Sequence, residues 1–258
     1  MRPGTVCALF LVVLAAGCGG AAHHTLDAKG ATPLPALGTR CGTNVKAKVG
    51  WFRAADGVLL DGAALGTGKT GVVLAHESPA DLCGWAPYAG VLGRAGFRVL
   101  LIDHRGAGDS QSPADSAKAA HFSRDLEGAV QELEREGAHK VFLMGASFGG
   151  VSSMVAGSRL GTKIAGVISV SGETSLGSPD LDALAEVPKM RAPFLILGSR
   201  LDGYLTPADA RTLLRRAGSE HKRLVLFPGG EHGWDIFYSS AERARASRIV
   251  IDFLRHYG

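Results

Sequence analysis

Val141-Phe142-Leu143-Met144-Gly145-Ala146-Ser147-Phe148-Gly149 is an apolar run that ends in G-x-S-x-G. Four large apolar residues in a row read as a buried strand. A serine that attacks a carbonyl must stand clear of its sheet, on a strained strand-to-helix turn. Small residues two positions to either side let strand and helix approach closely enough to make that turn. In a chain with 36 glycines an ordinary glycine-rich connection satisfies the same pattern, so the reading depends on what surrounds it.

Outward from this turn the chain alternates. Residues 51–54 and 58–60 flank Asp56-Gly57 and predict a β-hairpin. Residues 71–75 predict a buried strand, 85–92 a helix and 97–102 a strand. Phe122, Leu126, Ala129, Val130 and Leu133 mark one helical face. Further strands are expected over 164–170, 194–197 and 224–227. Thr206-Pro207 suits an N-cap followed by proline at the first helical position, and Ile249, Val250, Phe253 and Leu254 stripe a last helix. A hairpin followed by repeated strand-helix units implies an α/β fold, a single doubly wound, mostly parallel sheet with helices on both faces. Ala63-Ala64-Leu65-Gly66-Thr67-Gly68-Lys69-Thr70 matches a permissive phosphate-loop pattern. Such a loop must open a helix to hold phosphate, whereas a strand follows here, so a turn is expected and nucleotide binding is not.

Two more polar residues fall just past expected strand ends, the edge where open α/β sheets place their sites. Asp202 follows the strand over 194–197, and His232 lies in Gly229-Gly230-Glu231-His232-Gly233. In the order Ser147, Asp202, His232 they suit nucleophile, orienting acid and general base. Glu173, after the strand ending at Val170, is the alternative acid. The N–H groups of Phe148 and of Ser78, in Ala75-His76-Glu77-Ser78, are the candidate oxyanion donors. Glu77, Tyr204 and Trp234 are candidate pocket residues. Phe148 and Phe237 are aromatic walls or simply core. A fifth motif, Asp103-His104-Arg105-Gly106-Ala107-Gly108-Asp109-Ser110, follows the strand over 97–102.

On these five motifs, spread over about residues 50–257, the sequence resembles the α/β-hydrolase superfamily of serine esterases and lipases. The resemblance implies an eight-stranded sheet whose second strand is antiparallel, and hydrolysis of ester-like bonds without metal or cofactor. His76-Glu77 is similar to the oxyanion loop of the dienelactone hydrolase branch, whose nucleophile is cysteine where this chain has serine. Larger lipases and dehalogenases carry a cap after the sixth strand. Only residues 172–191 are available for one here, so a minimal cap or none is expected, with an open site for short to medium acyl esters.

The amino terminus sets the expected compartment. Met1-Arg2, an apolar stretch over 6–16 and Leu14-Ala15-Ala16-Gly17-Cys18 read as a signal peptide over 1–17. Ala-Gly-Cys resembles a bacterial lipobox, which implies lipidation of Cys18 and a place on the outer face of the cytoplasmic membrane; plain secretion is the alternative. Residues 18–45 are read as a lipidated tether, and 46–258 as one domain large enough for a full core. His23-His24 lack a partner there, and no metal site is expected. With Cys7 removed and Cys18 lipidated, Cys41 and Cys83 remain as a disulfide or as two thiols. The formal charge of +4 is scattered over helix faces, so nucleic acid is not an expected partner. A small-molecule or envelope-derived ester is the expected substrate. Thioesters, peptides, perhydrolysis or a silent envelope-binding role remain open, because fold and triad do not choose the leaving group.

Overall fold

The computed structural model describes residues 33–258. The signal reading, Cys7, Cys18 and His23-His24 lie outside them. A short helix α1 (Leu37–Cys41) precedes the hairpin of β1 (Lys48–Arg53) and β2 (Leu59–Leu65). Gly57 turns that hairpin with a φ of 88°, in the left-handed region that glycine enters without steric cost. Then come β3 (Thr70–Ala75), α2 (Ala86–Arg94), β4 (Arg98–Ile102), α3 (Ser116–Ala119) and α4 (Phe122–Arg135). The elbow stretch forms β5 (Lys140–Ala146) and α5 (Phe148–Leu160). The chain ends through β6 (Gly166–Val170), α6 (Ala183–Glu186), β7 (Phe194–Ser199), α7 (Pro207–Arg216), β8 (Lys222–Phe227), α8 (Asp235–Tyr238) and α9 (Arg243–Tyr257). Thr206 caps α7 by accepting from the Asp209 N–H at 3.2 Å.

The eight strands form one sheet in the order β1-β2-β4-β3-β5-β6-β7-β8. β2 pairs antiparallel with β1 and β4, and the remaining pairs are parallel. Alternation along each strand feeds two cores. Val73 and Leu143 face a core built with Leu126, Leu133, Val151 and Met154 of α4 and α5. Val72, Leu74, Phe142 and Met144 face the other, with Trp85, Leu92, Val250 and Leu254 from the α2 and α9 side. After β6 the chain adds only α6 and two 3₁₀ turns before β7. Leu181, Ala183, Val187 and Met190 of that segment are buried in the α4–α5 core, so no separate cap is formed among the described residues. The glycine-rich stretch at 66–69 joins β2 to β3, and no helix follows it.

One difference from the expected boundaries lies at the start. Packed structure begins at α1, inside the stretch read as tether, because Leu37 is buried and Cys41 is bonded to Cys83 with a Cα–Cα distance of 5.1 Å. Arg40 then ion-pairs with the fully buried carboxylates of Asp61 on β2 and Asp103 after β4. Asp103 also accepts from the Leu82 N–H at 2.7 Å. Burial and the Asp103 charge, opposed by Arg40, leave the Asp61 carboxyl pushed up to about 7.

Candidate active site

Ser147 stands between β5 and α5 at φ 47°, ψ −114°. A non-glycine residue there costs on the order of 1–3 kcal/mol and persists only where its surroundings impose it. Here they do. The Ser147 N–H donates to the Val170 carbonyl at 2.8 Å, and its own carbonyl accepts from the Val151 N–H at 2.9 Å. A Cβ at Gly145 would overlap the Gly149 carbonyl, and one at Gly149 would overlap the carbonyls of Ala75 and His76. Both glycines are therefore required by close approach, and the second approach joins the elbow to the end of β3. β3 and β5 are neighbours whose onward connections run to opposite sides of the sheet, to β4 and β6. That is a topological switch point, with its crevice at the strands' carboxyl ends.

Asp202 follows β7 with a fully buried carboxylate, fixed by the N–H groups of Tyr204 at 2.9 Å and Leu205 at 3.2 Å. Nδ1 of His232 lies 2.9 Å and 3.0 Å from its two oxygens. Burial opposes the charge of Asp202, but these bonds outweigh it and hold the carboxyl below its usual range. Burial likewise works against protonated His232. Asp202, with the charges of Glu77 and Glu173, more than offsets this and raises the imidazole above its ordinary value. Glu173 feels the charges of both residues, and burial raises its own carboxyl. It is Asp202 that hydrogen-bonds the ring.

The His232 loop lies against the elbow. A Cβ at Gly233 would sit 3.5 Å from that of Ala146 and would overlap the Glu77 carboxylate. Glu77 is raised by burial, accepts from the Trp234 main chain, and keeps a buried Oε2 without a hydrogen-bond partner. Trp234 packs on Gly84 and edge-on to Trp85 at 5.9 Å. The Tyr204 ring is 4.7 Å from His232 and largely exposed, as is Leu201 beside it. Phe237 is core, 4.3 Å from the Tyr88 ring.

A cleft of about 720 Å3 opens beside the elbow, walled by His76, Ser78, Asp81, Gly106, Phe122 and Phe148. It brings both candidate oxyanion residues together; Tyr204 and Trp234 do not line it. Phe122 was legible only as one more apolar residue on a helical face, and nothing local marks it as a cleft wall. The contact of Glu77 with the His232 loop was equally invisible, because it depends on how two distant turns are placed.

A family model described as the alpha/beta hydrolase fold matches residues 72–191. The chain is 38% identical over 98 residues to epoxide hydrolase 3 of Siraitia grosvenorii, a match covering 37% of this chain and 30% of that protein. It is 37% identical over 93 residues to the 2-hydroxy-6-oxononadienedioate/2-hydroxy-6-oxononatrienedioate hydrolase of Escherichia coli K12, covering 34% and 31% respectively. The chain thus spans about a third of the length of the curated relatives it matches. The Pyrococcus furiosus esterase Pf2001 superposes with a TM-score of 0.69 at 16% identity, covering 85% of this chain and 95% of that one. At that identity the likeness is one of fold. Matched segment, strand order and elbow agree: the chain has the α/β-hydrolase fold.

Proposed function

We propose that this protein is a serine carboxylesterase acting on short to medium esters through Ser147, His232 and Asp202. Its place is the outer face of a bacterial cytoplasmic membrane, held there by lipid on Cys18. One observation carries the catalytic reading: His232, hydrogen-bonded to Asp202, belongs to a loop packed against Ala146, one residue from a serine held at φ 47°.

Asp202 accepts from Nδ1–H of His232, which leaves Nε2 as the basic nitrogen. As Ser147 Oγ attacks the ester carbonyl, Nε2 takes the hydroxyl proton and Asp202 stabilises the imidazolium. The carbonyl π electrons move onto oxygen. The N–H of Phe148, in the first turn of α5 where no intrahelical acceptor exists, and that of Ser78 receive the negative charge. Collapse expels the alcohol, which takes its proton from His232. Water then attacks the acyl-serine by the same steps, releasing the acid and freeing Ser147. The absence of a cap domain among the described residues supports small, accessible esters.

The test is labelling of the purified protein by a fluorophosphonate, with Ser147→Ala and His232→Ala alongside. Labelling is expected in wild type and lost in both variants, with hydrolysis of p-nitrophenyl acetate following the same pattern. A folded wild type that neither labels nor hydrolyses would overturn the enzyme reading.

A further inference from the structure

We propose that His76 is a positioning residue of the oxyanion hole, whose Nδ1–H holds and polarises the Glu77–Ser78 peptide. This rests on Ser78 N–H being one of the two oxyanion donors, as in the mechanism above. His76 is buried directly after β3, and the proposed proton transfers do not use it.

The tautomer follows from its partners. The main-chain N–H of His104 lies 3.1 Å from His76 Nε2. A main-chain N–H can only donate, so Nε2 carries no proton and the neutral ring bears its hydrogen on Nδ1. Nδ1 is 2.8 Å from the Glu77 carbonyl oxygen and donates to it. Burial, reinforced by the neighbouring His104, pushes the imidazole down to about 4, so this arrangement persists at neutral pH.

The Glu77 carbonyl and the Ser78 N–H belong to one planar peptide unit, in which they point in opposite directions. Anchoring the oxygen therefore aims the N–H. A hydrogen bond to the carbonyl also polarises the amide and strengthens its N–H as a donor. The ring is itself held in place. It meets His104 edge-on at 5.2 Å and lies nearly parallel to Phe148 at 6.4 Å, the residue that supplies the other oxyanion N–H. His104 is fixed in turn by Asp125 at 3.2 Å and Ser152 at 3.3 Å. One buried histidine thus ties the turn after β4 to the oxyanion loop.

A pair of amide substitutions separates this role from packing alone. Asparagine places its side-chain N–H near the position of Nδ1, whereas glutamine reaches the position of Nε2. His76→Gln is expected to lower kcat on p-nitrophenyl acetate by about ten- to a hundredfold with KM little changed, since loss of a whole oxyanion donor costs about 10²–10³. His76→Asn is expected to recover most of that loss. The Ser78 amide resonance should move in the glutamine variant and return toward wild type with asparagine. In wild type, the His76 nitrogen shifts should report Nδ1–H at neutral pH. An Nε2–H tautomer, or an unmoved Ser78 amide in His76→Gln, would overturn the proposal whatever the activity. Equal kcat losses in both variants would do so too. A wild type inert to fluorophosphonate would instead sink the esterase reading, while the Ser78 amide still decides the clamp.

Discussion

At the scale of single residues, His232 is governed by three carboxylates. Asp202 bonds its Nδ1, and Glu77 and Glu173 add charge without taking that position. Together they outweigh burial and raise the imidazole, so the group that the proposed mechanism needs as a neutral base gains its proton at a higher pH than an ordinary histidine of about 6.5. The acid limb of kcat/KM is therefore expected above that value. Glu77→Gln and Glu173→Gln should each move the limb toward lower pH, because each removes charge that favours the imidazolium. Asp202→Asn should lower kcat by about 10⁴-fold through the wrong tautomer, an effect neither glutamate variant reproduces. A pH–rate series on the four proteins measures all of this. A limb unmoved by both glutamate changes would show that their charges are screened at the ring.

At the scale of elements, the proposed nucleophile is held by β5, its elbow and α5. Ser147 accepts its unfavourable backbone because two glycines let a strand, a helix and the end of β3 share one small volume. Gly145→Ala and Gly149→Ala would drive a methyl into main-chain carbonyls that side-chain rotation cannot move. Each is expected to cost at least the 1–3 kcal/mol typical of overpacking and to abolish fluorophosphonate labelling. Gly161, which ends α5 at φ 60° with open space where a Cβ would stand, is the contrast. Gly161→Ala should cost about 1–3 kcal/mol of backbone strain, as Ser147 bears in the same region of φ and ψ, and leave labelling intact. Urea midpoints paired with labelling measure both effects, and retained labelling in Gly149→Ala would show that the elbow tolerates a wider crossing.

At the scale of the whole molecule, α1 is held from outside itself. Five residues cannot sustain a helix alone. Leu37, the Cys41–Cys83 bond and the Arg40 ion pairs attach it to the sheet. Arg40→Ala would leave Asp61 and Asp103 buried without their cation, at an expected cost of about 3–5 kcal/mol. A carboxyl raised in the folded state, as that of Asp61 is, favours folding when protonated, and that contribution is lost as pH rises through its folded pKa. The Arg40→Ala deficit should therefore be larger above neutral pH than in mild acid. Removing the disulfide, which closes a sequence separation of 42, should cost about 4 kcal/mol by loop entropy. Thermal melts of the two variants against pH are the measurement. An Arg40→Ala deficit independent of pH would mean that water reaches the two aspartates.

The amino-acid order by itself determined whatever depends on neighbours along the chain. Apolar runs bounded by turn residues marked the strands. Glycines two positions from Ser147 marked the elbow, and Asp202 and His232 stood out as candidates because each lies a few residues past a strand. Only the tertiary structure decided between Asp202 and Glu173 as the partner of His232, joined Arg40 to carboxylates on two distant segments, and set Glu77 against the His232 loop. The physical reason is the same in each case. Periodicity and turn chemistry act over a few residues, whereas these pairings join loops from separate strands whose distance is set by sheet order and core packing.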